Sequence, residues 1–274
     1  MCQFLSVLAL KNGSVLHHPM IDSHSELVEY FGVPDTSASH QHFAKIELTP
    51  PSCNDDADWL DVSQWTFRLD EEAEPIWWSD VAAAVEKKVR DIASRMILTS
   101  GEKGLIVDGC WIIGGTAKIR EVRSGRIVRL LKGGTISEIW GGTVSVICGG
   151  TVSAICGGTV SEICGGTVSV ICGGTVSEIW GGTVSEIWGG TVSAICGGTV
   201  SAIRGGTVSE IWGGTVSAIC GGTVSAISGG TVSAIRGGTV SAIRPSPYRT
   251  LVLSDQAKAH LKSKGVVPDQ AVPA

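Results

Sequence analysis

"GGTVSEIWGGTVSEIW" spans Gly173–Trp188, and the eight-residue unit it contains twice is written fourteen times in succession from Gly133 to Arg244. Set beneath one another, the copies form an alignment internal to the chain. Positions one, two, three, five and seven are Gly, Gly, Thr, Ser and Ile in every copy, and position four is Val except at Ile136. Only positions six and eight vary. Position six holds Glu, Ala or Val, and position eight holds Trp, Cys, Arg or Ser. A close-packed interior responds to a single added methylene, so a position that accepts both Trp180 and Ser228 is expected to face outward.

The period rules out helical alternatives. Eight residues drift by about 80° around a 3.6-residue helix, and two glycines in each unit would cost about 2 kcal/mol relative to alanine. Collagen needs glycine at every third position, which is absent. What remains is β-structure, with Gly-Gly at a tight corner and Thr, Val and Ile on a pleated surface. Val and Ile stand three residues apart, so strict alternation must break once, near position six, for both to point inward.

One octad is too short to close around a core, but two make a 16-residue coil with two flat sides. Fourteen octads then give seven coils, about 34 Å of solenoid at a strand spacing of about 4.8 Å. A three-sided coil of 24 residues is the runner-up, disfavoured because fourteen is not a multiple of three. The expected fold class is therefore mainly β: a two-sided octapeptide-repeat β-solenoid with an α+β amino-terminal domain and a short strand-helix carboxy-terminal cap.

The flanks divide accordingly. Residues 1–105 read as the α+β domain, with strands near Gln3–Leu10, Ser14–His17, Phe43–Leu48 and Gln64–Leu69. A first helix opens at the capping box Ser23–Glu26, and a second covers Asp80–Leu98 with the apolar stripe Val81, Val85, Val89, Ile92 and Met96. Residues 106–132 read as irregular first turns, since Ile119 with Val122 and Ile127 with Leu130 already keep the spacing of three. Residues 133–244 are the octads, and 245–274 a cap and tail. In the cap, Leu251–Leu253 is a strand, Ser254 an N-cap and Gly265 a helix stop. Removing sixteen residues should be benign on this reading, whereas removing eight should unseat the cap.

Charge is uneven. Residues 1–105 hold 8 Lys and Arg against 17 Asp and Glu, net −9, and residues 106–250 hold 10 against 7, net +3. Six basic residues from Lys118 to Lys132 form the one basic patch, too short for a nucleic-acid track, and the acidic domain of this chain or of another copy is its expected partner. The opening "MCQFLSVLALKNG" reads as a strand and not a signal peptide, and no apolar run approaches the roughly 18 residues of a membrane span. A soluble, cytoplasmic protein is the expectation. Six of the nine cysteines occupy position eight of the octad, and they are expected to be thiols.

"HHPMIDSHSELVEYFGVPDT" (17–36), "FAKIELTPP" (43–51), "WTFRLDEEAEPIWW" (65–78) and "GCWIIGG" (109–115) resemble a family of uncharacterised bacterial and phage-borne proteins in which a similar domain precedes degenerate octapeptides. That resemblance implies a phage or prophage setting and no activity. The octads are also similar, more weakly, to the 16-residue repeats of ice-nucleation proteins. Here the outward row is Thr-Val-Ser, without a tyrosine ladder.

Three sets of residues invite a chemical reading. His17, His18, His24, His40 and His42, with Asp22 and Glu26, could assemble a metal site, but no ligand spacing supports it. Cys2 would be an N-terminal nucleophile after methionine removal, yet no partner residue can be assigned. The repeat residues carry more. Trp140, Trp180, Trp188 and Trp212 should be exposed beside cysteines in a column, and Cys156 should stack on Cys172, as Cys148 on Cys164, within disulfide range. The expected function is a non-enzymatic structural or interaction protein that meets a protein partner, or itself, through this side of the solenoid. No catalytic residue, cofactor or metal is assigned. Ice binding and a metal-dependent hydrolase in the amino-terminal domain are the rivals.

Overall fold

The computed structural model describes residues 5–34, 42–51, 55–244 and 249–266. Contacts divide the chain into two units, 1–98 and 99–274. The first unit contains β1 (Leu5–Leu10), β2 (Val15–Leu16), α1 (His24–Phe31), β3 (Phe43–Thr49), α2 (Asp56–Leu60), a 3-10 turn at Val62–Gln64, β4 (Thr66–Leu69), α3 (Trp78–Arg95) and the short β5 (Ile97–Leu98). Its antiparallel sheet runs β2-β1-β3-β4. β1 is apolar except for Ser6, whose hydroxyl donates to the Asp22 carbonyl at 2.7 Å, and is buried from Leu5 to Ala9, as expected of a strand covered on both faces. Leu8, Leu27, Val28 and Phe43 join the sheet to α1.

α3 buries Val85, Val89 and Ala93 at helical spacing, and Met96 just beyond its end. Ala93 thus takes an inner position, while Val81 and Ile92 are only partly covered. The helix stops at Arg95, short of the expected Leu98. Two long side chains tie it down: Arg90 donates to the Val62 and Trp65 carbonyls at 2.5 and 3.0 Å, and Lys88 Nζ donates to the Gly13 carbonyl at 2.7 Å. The capping box is not formed. Ser23 is the extended N-cap residue, but its side chain makes no capping bond. α2, capped by Asp55 accepting from Ala57 N–H, has no counterpart in the sequence reading.

In the second unit, β6 (Glu102–Ile106), β7 (Cys110–Ile113), β8 (Lys118–Val122) and β9 (Arg126–Leu130) precede the octad strands, which run from β10 (Thr135–Ile139) to β23 (Thr239–Ile243). Even-numbered strands, ending with β24 (Leu251–Leu253), form one ten-stranded sheet, and odd-numbered strands stack in the other. Both are parallel, and pairs such as Thr135↔Thr151 and Val144↔Val160 sit sixteen residues apart. The coil is therefore two-sided, with about nine turns in all. Position-four and position-seven side chains are wholly buried from Ile136 to Ile227. In the early coils Ile119, Val122, Ile127 and Leu130 take the same places. One extra residue before Gly133 makes Ile119 pair with Ile136, seventeen residues away.

The two glycines do different work, as Gly157 and Gly158 illustrate. Gly158 has φ +70°, where an L side chain is strained. Gly157 has no such φ, but a Cβ there would lie 2.2 Å from the Trp140 carbonyl of the coil before. The corner is closed by hydrogen bonds along the solenoid axis: the N–H groups of Cys156 and Gly157 both donate to the Ile139 carbonyl, at 2.8 and 3.0 Å. Polar backbone is thus satisfied at the turns as well as in the strands.

The carboxy-terminal end is closed asymmetrically. β24 extends the even sheet by pairing with β22, and α4 (Asp255–Ser263) follows, its N-cap Ser254 accepting from Ala257 N–H at 3.1 Å. Val240 of β23 and Leu261 of α4 face a shared cavity of about 350 Å³ at the end of the odd sheet. The cap is seated on the last octads themselves, so its seat travels with it. Loss of one upstream octad is therefore expected to leave the cap seated, the reverse of the expectation from sequence.

Candidate interaction surface

Position eight ends each strand just before its glycine corner, so side chains from alternate octads stack along two separate edges. Along the even edge run Trp140, Cys156, Cys172, Trp188, Arg204, Cys220 and Arg236; along the odd edge run Cys148, Cys164, Trp180, Cys196, Trp212, Ser228 and Arg244. The tryptophans thus divide between two edges and do not form the single column expected. Trp140 and Trp188 stand three rungs apart, about 14 Å, and Trp180 and Trp212 two rungs apart, about 10 Å.

Exposure follows the variability reading for three of the four. Trp140, Trp180 and Trp188 are 54%, 53% and 58% exposed. Trp212 is half-buried, because the Arg249 guanidinium lies 4.4 Å from its ring. The outward rule also fails for some small residues. Ser228 is buried and donates to Glu210 at 2.9 Å, and Ala194 is buried between Glu178 and Glu210 in its row. A short side chain flanked by long ones is covered even on an outer face.

Sequence reading missed the partner of the tryptophans. Trp140 and Trp180 donate their indole N–H to Glu138 and Glu178, two residues earlier, at 2.7 and 2.6 Å, and Trp188 donates likewise to Glu186. The signal was present, since all four Trp octads carry Glu at position six. Trp at position eight thus always follows Glu at position six, although Glu162 precedes Cys164. Arg204, one rung above Trp188, sits over its ring at 5.7 Å and holds Glu186 at 2.7 Å, which keeps that carboxyl below its usual range.

Cys156 and Cys172 do stack, with Sγ atoms 3.5 Å apart. Burial and the neighbouring Cys172 thiol push Cys156 up to about 11, and burial with a hydrogen bond to Glu162 does the same for Cys164. Both are therefore protonated at neutral pH and poor nucleophiles. Basic residues of the early coils are paired within the same unit, Lys118 with Glu102, and Arg120 and Arg123 with Glu121.

The histidines of the amino-terminal unit take separate tasks. His17 is largely buried, with Nδ1 unpartnered among the described residues, and burial with the neighbouring His18 lowers it to about 4. His18 packs on Tyr30, His42 is exposed, and His40 and Cys2 lie outside the described residues. His24 bonds the Ile46 carbonyl at 3.0 Å and faces Asp70 at 3.3 Å. Among the described residues, His24, Glu47 and Asp70 form the one group of three whose ligand atoms lie within 4.8 Å of one another. Asp22 and Glu26 do not join it. Arg68 bridges both carboxylates, at 2.6 Å to Glu47 and 3.1 Å to Asp70, so the group reads as a tie between β3 and β4.

No helix among the described residues is long and apolar enough to cross a membrane. No family model matches the chain, and no curated protein or solved structure matches it either. The functional reading therefore rests on the solenoid's own surface chemistry.

Proposed function

We propose that this chain is a non-enzymatic structural protein that self-associates through the edges of its solenoid, and that its gene belongs to a phage or prophage. The genomic setting rests on the resemblance of the amino-terminal motifs alone. One observation carries the self-association: the octads repeat nearly the same buried pair, while chemical variety is confined to the outer positions six and eight, where three tryptophans stand more than half exposed. Tryptophan is among the residues most enriched at protein–protein interfaces and at their hot spots. Their indole N–H groups are already satisfied by Glu138, Glu178 and Glu186, so a partner meets preset rings at small entropic cost.

The test is sedimentation of the full chain beside a Trp140→Ser, Trp180→Ser, Trp188→Ser variant, with Trp212 left in place because it packs under Arg249. Concentration-dependent association of the wild type is expected, with a monomeric variant of unchanged β circular dichroism. A wild type that stays monomeric at all concentrations would sink the proposal.

A further inference from the structure

The solenoid repeatedly sets its own cations against its own tryptophans. Lys103 lies 4.6 Å from the Trp111 ring, Arg204 lies 5.7 Å from the Trp188 ring while pairing with Glu186 and leaves Trp188 58% exposed, and Arg249 covers Trp212. The Glu186–Trp188 octad shows the geometry in full, with a carboxylate holding the indole N–H and receiving a guanidinium that also rests on the ring. Such a cation gains from the ring face and the carboxylate together. Glu138–Trp140 is the same receptor, yet its neighbour one rung above is Cys156, and Arg123 below is held by Glu121. Among the described residues no cation lies over Trp140. At the other end of the same edge, Arg236 is exposed and makes no ion pair among the described residues.

Resting on the self-association reading above, we infer that the even edge pairs with the even edge of a second copy of this chain in antiparallel register, with Arg236 of each copy seated on Glu138 and Trp140 of the other. The order of the edge selects this register. Turned end for end about Trp188, Trp140 meets the second copy's Arg236, Cys156 meets its Cys220, and Trp188 meets its Trp188. A two-fold contact of this kind is self-complementary and closes at the dimer. The odd edge offers no equivalent. Turned about Cys196, it sets Trp180 against Trp212, already covered by Arg249, and Arg244 against Cys148.

A strip seven rungs long is smaller than the roughly 800 Å² per partner of a standard interface, so association should be read at tens to hundreds of micromolar. Full-length wild type, Arg236→Glu, Glu138→Arg and the double swap are compared by sedimentation equilibrium, with circular dichroism to verify the fold. Each single change should weaken dimerisation at least tenfold, because it sets like charges against each other across the contact. The double swap should restore it, since acid and guanidinium then face each other again with their places exchanged. Arg236→Ala should weaken it without placing a like charge opposite Glu138. A dimer indifferent to the single changes, or unrestored by the swap, overturns this register while leaving self-association standing. A wild type that never dimerises overturns both.

Discussion

The two units solve the problem of burying a core in opposite ways. In the amino-terminal unit each interior residue is irreplaceable: Phe43, Trp65 and Trp78 have no second copy, and Arg90 alone ties α3 to the Val62 and Trp65 carbonyls. In the solenoid one Val and one Ile per octad are interchangeable with every other pair, and neighbouring coils supply all that is missing. Interchangeability moves the constraint from side chains to the corner, where only glycine fits.

The largest expected effect tests that shift. Gly157→Ala puts a methyl within 2.2 Å of the Trp140 carbonyl, which no rotamer can relieve, and should cost about 3 kcal/mol or more. Gly104→Ala meets nothing within 4 Å and has no left-handed φ, so its stability should change by no more than about 0.5 kcal/mol. Equal thermal shifts in the two variants would show that the corner is not the constraint.

The irreplaceable unit should carry the acid sensitivity. His17 titrates at about 4 in the fold against 6.5 when free, because burial and His18 oppose its charge. Above pH 6.5 it is neutral in both states. As pH falls from 6.5 towards 4, the unfolded chain takes up a proton that the folded chain refuses, so stability is lost across that window. Partial solvent access reduces the effect to about 2 kcal/mol. Hydrogen-exchange protection, corrected for the intrinsic pH dependence of amide exchange, should fall through that window in peptides within residues 5–34, and His17→Gln should flatten the dependence.

The smallest effect on stability belongs to the octads. Deleting Gly173–Trp188 removes β15 and β16, one strand from each sheet, and deleting Gly173–Trp180 removes β15 alone. Both should leave the melting midpoint nearly unchanged, since cap and seat move together. Association should separate them. The shorter deletion sends Arg236 to the edge opposite Trp140 but brings Arg244 onto Trp140's edge, so it should abolish dimerisation only when combined with Arg244→Ser, whereas the longer keeps Trp140 and Arg236 on one edge. A shorter deletion carrying Arg244→Ser that still dimerises would show that the edges are not read as columns.

How much the sequence discloses follows the same division. Fourteen copies expose which positions tolerate change, so the two-sided coil, its inward Val and Ile and the Cys156–Cys172 stack are all legible before any coordinates. The amino-terminal unit offers each position once. Its strands and long helix can be read from apolar runs, but α2, the failed cap at Ser23 and the meeting of His24 with Glu47 and Asp70 depend on contacts between distant segments. On the edges, reading positions six and eight separately conceals the Glu–Trp pair that their joint variation contains. Trp212 reads as exposed because its cover, Arg249, comes from beyond the repeat.

Hydrogen bonds in the solenoid run from coil to coil, as from Cys156 and Gly157 to Ile139, and that direction has a mechanical meaning. Tension applied along the axis pulls on each rung's bonds end-on, not in shear, and the rungs separate in succession. Each that opens releases sixteen residues, about 50 Å of extended chain. Under load such a molecule lengthens in equal steps at nearly constant force, and the number of octads sets how far it can extend.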